Sequence, residues 1–146
     1  MINEHYDYYS IYEKTDYLFF SEGKNGKIPK MISFVQIEES KWNLAFGDLN
    51  KGRIDDSIVT DNQDISKVIG TVAKTVYDFF DENPDCTIQI IPVDERRKRL
   101  YNYIFQKRIK EIEPRYQIWG LIKGKKSIFS SLKYYDSFEI NLKFEL

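Results

Sequence analysis

The chain holds one cysteine and one histidine, and both scarcities narrow its chemistry. With Cys86 alone, no internal disulfide can form and no multi-cysteine zinc site can assemble. His5 sits in the N-terminal stretch as the sole imidazole, so hydrolases of the Ser-His-Asp or Cys-His kind are disfavoured. Cys86 directly precedes an apolar run and reads as a small buried or half-buried residue, not a nucleophile. A glycine-rich phosphate loop is also missing, because "GKKS" at 124–127 lacks the upstream glycine that a P-loop requires. No apolar stretch is long enough to cross a bilayer, and "MINEHYDYYS" has neither the basic nor the apolar region of a signal peptide. The expectation is a cytoplasmic protein with no membrane segment, no cofactor and no resident metal.

What remains is an ordinary globular composition at a length of 146 residues, enough for one domain with a real core. Aromatic residues make up 16%, with 11 Tyr and 10 Phe, which supplies large side chains to a core of few elements. The net charge of −1 hides an uneven layout. Residues 1–94 carry 9 Lys/Arg against 17 Asp/Glu, a balance of −8. Residues 95–133 carry 12 against 3, a balance of +9, and the rest contributes −2. Such segregation marks either a partner of opposite sign or two segments that cancel each other in the fold.

Along the chain, "YLFFSEG" and "KIPKMISFVQIE" read as strands joined at Asn25-Gly26, with "WNLAFGDL" as a third strand of a meander. After a polar loop, Ile65, Val68, Ile69, Val72, Val76, Phe79 and Phe80 recur at the spacing of one helical face. Asp64 or Asn62 serves as the N-cap, and "ENPD" ends the helix. "TIQIIPV" is a short strand, and residues 95–112 form a second helix. "QIWGLIKG" and "SFEINLKFEL" follow as strands. In the last, Phe138, Ile140, Leu142, Phe144 and Leu146 alternate with Ser137, Glu139, Asn141, Lys143 and Glu145, one face buried and one wet. The expected fold is α+β, a mainly antiparallel sheet with two helices on one face, in the order βββ-α-β-α-ββ.

Two segments carry candidate chemistry. Asp55, Asp56, Asp61 and Asp64 form an acidic loop of the oxygen-rich kind that suits Mg²⁺ or Ca²⁺, but turn-making and capping explain it as well. The second helix, "ERRKRLYNYIFQKRIKEI", has seven basic residues and no acid between Arg96 and Lys110. At 100° per residue, Leu100, Tyr101, Ile104, Phe105 and Ile112 face the sheet. Arg96, Arg99, Tyr103, Lys107 and Lys110 share the opposite face, suited to sugar-phosphate contact with a base stacked on Tyr103. Arg97 and Arg108 point to the apolar side, where an unpaired charge is costly, and the acidic loop is a source of partners. Arg108 reads as structural. Arg97 either pairs internally or joins the free N–H groups of the helix N-terminus in an anion site.

Phe46-Gly47-Asp48, Asp55-Asp56, Asn62-Gln63-Asp64 and Arg97-Lys98-Arg99-Leu100-Tyr101 stand in the order F-G-D, D-D, N-x-D and R-x-R-L-Y. Together these pieces resemble an uncharacterised family of small Bacteroidetes-type bacterial proteins. The resemblance spans most of the chain and implies the fold more than an activity. It also implies a Gly-Ser-Thr turn before the arginines, where this sequence has Asp94 and Glu95, acids that oppose phosphate binding at that helix end.

The leading expectation is a non-enzymatic, nucleic-acid-associated module using Arg96, Arg97, Arg99, Tyr103, Lys107 and Lys110, with Lys123, Lys125 and Lys126 extending the patch if their loop lies nearby. The alternative is a protein-interaction or regulatory module, such as a toxin–antitoxin-type partner, whose basic face docks on an acidic protein. An enzyme acting on a phosphorylated substrate at Arg97 is third, for want of a base.

Overall fold

The hairpin at Asn25-Gly26 is closed by a turn that requires a positive φ, which glycine adopts without strain. β2 (Asp16–Gly23) and β3 (Gly26–Glu38) pair antiparallel from Asp16↔Ser33 to Gly23↔Gly26, and Gly26 takes φ +85°. The structure, a computed structural model, describes residues 4–12, 15–55 and 62–144. It is α+β, with two helices and a mostly antiparallel sheet. The chain divides into two compact units, one of residues 1–35 and 44–83, the other of residues 36–43 and 84–146.

In the first unit, β1 (Tyr8–Tyr12) pairs with β2, β3 neighbours β4 (Lys41–Asn50), and β5 (Arg53–Asp55) folds back on β4. Under this sheet lies α1 (Ile65–Glu82). Phe79 stacks on Phe34 with ring centres 4.5 Å apart, and meets Phe80 edge-on. Farther along, Phe19 stacks on Phe46 and on Tyr6. The buried face of α1 is rotated from expectation, because Ile65 is 47% exposed while Thr71 and Thr75 are fully buried. Both threonines satisfy their hydroxyls on carbonyls of their own helix, Lys67 and Val72. Thr71 also accepts the N–H of Tyr6, which stitches the N-terminal segment down.

Two of the quoted motifs have structural work here. Asn62 clamps the β2–β3 turn: its amide accepts the Asn25 N–H and donates to the Gly26 carbonyl and to Ser21. A Cβ on Gly23 would stand 2.0 Å from the Asn62 carbonyl oxygen, so that position demands glycine. Asp64 stands at the N-cap of α1 but makes no side-chain cap bond, since its carboxylate accepts instead from Tyr6 (2.6 Å) and Ser21 (2.5 Å). Asp48 forms an ion pair with Lys30, both buried, and the Lys30 ammonium lies 6.0 Å from the centre of the Phe46 ring. Pairing is what makes a lysine tolerable inside.

The second unit is built on β6 (Thr87–Ile90), β9 (Ser137–Leu142), β7 (Tyr116–Ile122) and β8 (Lys125–Ile128), hydrogen-bonded in that order. β6 also pairs with the start of β4 in parallel, Trp42↔Ile88, and the connection between these two strands contains β5 and α1. Ile88, Ile118, Phe138 and Ile140 form its core, with Phe105 of α2 (Glu95–Ile112) packed on Phe138 at 4.5 Å.

Among the described residues the order is five strands, α1, β6, α2 and three strands, in place of βββ-α-β-α-ββ. The extra elements are β1, β5 and β8. β5 and β8 each follow a Lys-Gly turn with both residues at positive φ, Lys51-Gly52 and Lys123-Gly124. Lysine lacks the ease with which Asn and Asp enter that region, so these turns carry a weaker sequence signal than Asn-Gly. Glu139 is a second correction: alternation puts it on the wet face, and it is buried.

Candidate nucleic-acid interface

Asp94 opens α2 as a working N-cap, its carboxylate accepting the Arg97 N–H at 2.8 Å. The other carboxylate oxygen takes the Arg97 guanidinium at 2.7 Å, and the Arg97 side chain is only 9% exposed. Arg97 is thereby engaged by an aspartate three residues before it. Arg108 pairs with Glu111 at 3.6 Å, again within the helix. Both inward arginines thus find acids on or beside their own helix. Of that loop, Asp55 ends β5 and Asp64 precedes α1, while Asp56 and Asp61 lie outside the described residues. Among the described residues, no group of three or more His, Cys, Asp or Glu side chains is placed to hold a metal ion.

The outer face of α2 is as the spacing predicts. Arg96, Arg99, Lys107 and Lys110 are exposed and make no ion pair among the described residues, and Tyr103 between them is 59% exposed. The inner face departs from expectation. Phe105 is buried, but Leu100, Tyr101, Ile104 and Ile112 are half-buried, and the fully enclosed polar residue is Asn102. Its amide donates to the Lys98 and Tyr135 carbonyls at 2.8 and 2.9 Å, and accepts the Tyr135 N–H at 2.8 Å. This bracket fixes the segment between β8 and β9 along the helix.

The same segment is held at several further points. Gln106 donates to the Lys133 carbonyl, and Phe129 packs on Phe105. The buried Tyr135 hydroxyl accepts the Ser130 N–H. Its ring fills the space above Gly120, where a Cβ would come within 2.2 Å of it. Asp136 accepts both the Lys98 ammonium and the Lys123 N–H at 2.7 Å. The Lys123 N–H and then the Lys98 ammonium hold its carboxyl below the usual range, and the Lys98 ammonium is raised in turn, chiefly by this bond.

Through Asp136 the tip of the β7–β8 hairpin, with Lys123 and Lys125, is tied to α2. Lys126 turns to a different task. It donates to Glu139 at 2.9 Å, and Lys41 reaches the other carboxylate oxygen at 3.1 Å. Burial pushes the Glu139 carboxyl upward, but the bonds from Lys126 and Lys41 outweigh it and hold the group below its usual range. Lys126 also lies 4.8 Å above the Trp119 ring.

A groove of about 410 Å³ at the start of α1 makes a contrast. It is lined by Glu4, Glu22 and Asp64 with Lys67, an acidic setting that opposes anions. His5 bonds the carbonyl of Tyr6, and Cys86 is half-buried. Among the described residues no helix is long and apolar enough to cross a membrane.

Residues 2–143 match a family described as a family of unknown function, DUF6934, and the chain belongs to that family. No curated protein and no solved structure matches the chain.

Proposed function

We propose that this DUF6934 member is a non-enzymatic, cytoplasmic, nucleic-acid-associated module that holds a phosphate backbone on the outer face of α2. One observation carries the reading: Arg96, Arg99, Lys107 and Lys110 line a single exposed stripe around Tyr103 with no ion pair among the described residues. An unpaired surface cation keeps its full attraction for phosphate, and each contact formed releases a condensed counterion. Arg97 belongs to the support of that surface, since its guanidinium is engaged by Asp94. We further infer that F-G-D and N-x-D serve the fold and not the binding face, through the Lys30–Asp48 pair and the turn clamp of Asn62.

The test is fluorescence anisotropy with a labelled oligonucleotide at low salt, followed by a salt titration. Binding weakens with salt, and the slope of log K against log salt falls by about 0.7 to 0.9 for each cation removed, in Arg99→Ala and in Lys107→Ala. Absence of binding at low salt, or indifference to salt, overturns the reading. A complex with an acidic protein that survives nuclease and is broken by Arg99→Glu would replace it with the protein-docking alternative.

A further inference from the structure

We propose that the partner of this surface is single-stranded nucleic acid, and that the segment between β8 and β9 supplies the second half of its binding platform. The inference rests on the reading of α2 as a phosphate-binding face and adds residues that reading does not use. The segment presents Leu132 (94% exposed), Lys133 and Tyr134 (46% exposed) outward. Loops that carry binding residues do so when a rigid scaffold positions them. Here the backbone is pinned, by Asn102 on both sides of the Tyr135 peptide, by Gln106 on the Lys133 carbonyl, and by Asp136 on Lys98. Such anchoring holds the three side chains in the open.

Position and chemistry agree. Gln106 lies one helical turn from Tyr103 and from Lys110 and two turns from Arg99, so Lys133 borders the cationic stripe. Tyr134 lies 5.1 Å from the Lys98 ammonium on the other flank. The surface then offers two exposed phenol rings and an exposed leucine beside the unpaired cations of the stripe, while Lys98 stays engaged by Asp136. A duplex hides its base faces in the stack and can use only the cations. A single strand offers each base as a flat π surface to an aromatic ring while its phosphates meet the lysines and arginines. Rings set among cations therefore discriminate in favour of the single strand.

The experiment compares a labelled oligo(dT) strand of about fifteen nucleotides with a duplex of the same length, for the unaltered chain and for Tyr103→Leu and Tyr134→Leu. Both tyrosines are surface residues, and circular dichroism confirms that each variant folds. The strand is expected to bind more tightly than the duplex, and each substitution to lower strand affinity by about 5- to 100-fold while duplex affinity moves less than about twofold. Equal binding of strand and duplex, with both variants neutral, overturns this inference and leaves the phosphate-binding reading standing. Failure of both probes to bind at low salt overturns both readings. If only Tyr103→Leu weakens the strand, the role of the β8–β9 segment falls.

Discussion

α1 and α2 are both 18 residues long, yet α1 buries seven residues and α2 only three. The seven of α1 are mainly apolar, ending in the edge-to-face pair Phe79 and Phe80. Those of α2 are Arg97, Asn102 and Phe105, two of them polar and each tied to a named partner. Apolar burial is broad and undirected, and consumes a wide sector of a helix. A few directed bonds hold a helix with less of its circumference, and leave more of it outside. The difference shows how α2 keeps a five-residue stripe in solvent while still being firmly seated.

The comparison is broken most severely on the α1 side. Phe79 is 1% exposed and stacks on Phe34, so Phe79→Ala leaves a large void that the surrounding rings cannot fill. Destabilisation of about 3–5 kcal/mol is expected in denaturant unfolding. A loss below about 1 kcal/mol would mean that α1 is not held by its rings.

For α2 the corresponding change is Asn102→Ala. It removes little apolar contact but strands the N–H and carbonyl of the buried Tyr135. The expected cost is about 2–4 kcal/mol, since unpaired buried groups forfeit their hydration without replacement. Hydrogen exchange at the Tyr135 amide should quicken in the same variant. An unchanged exchange rate would show that the bracket is redundant.

How much of this could be read from the residues follows the same division. The outer stripe of α2 was legible because exposure depends only on helical period and charge. The strands carrying Phe19, Phe34, Ile118 and Phe138 were legible from their apolar runs. Asn102 was not, because an asparagine inside a helix looks like a surface residue until its partner is known, and Tyr135 is 33 residues away. Glu139 was misplaced for the same reason. Strict alternation sends it to solvent, and the lysines that bury it, Lys41 and Lys126, lie on different strands. Arg97 posed a local question with a local answer, since Asp94 caps the same helix end. Whether that aspartate would also take the guanidinium depends on the arginine bending back one turn, which no spacing rule decides. β1, β5 and β8 are short and turn on Lys-Gly or follow an aromatic-rich opening, so local preference spoke weakly for them.

The smallest expected effect concerns acid. α1 is seated largely by groups that carry no proton, whereas α2 is tied through Asp136 to the β7–β8 turn. The Asp136 carboxyl is held below its usual range by the Lys123 N–H and the Lys98 ammonium. A group depressed in the folded state stabilises above its unfolded pKa, near 3.9, and loses that contribution as pH falls through the lower folded value. On acidification through and below about pH 4, the Lys123 and Tyr135 amides should therefore lose exchange protection relative to the α1 amides. In Asp136→Asn the Lys123 N–H keeps an acceptor while the charge is gone, so that differential loss should flatten. Equal acid sensitivity of the two helices in both proteins would show that the tie does not contribute to seating α2, and the contrast between directed and undirected packing would then rest on Asn102 and Arg97.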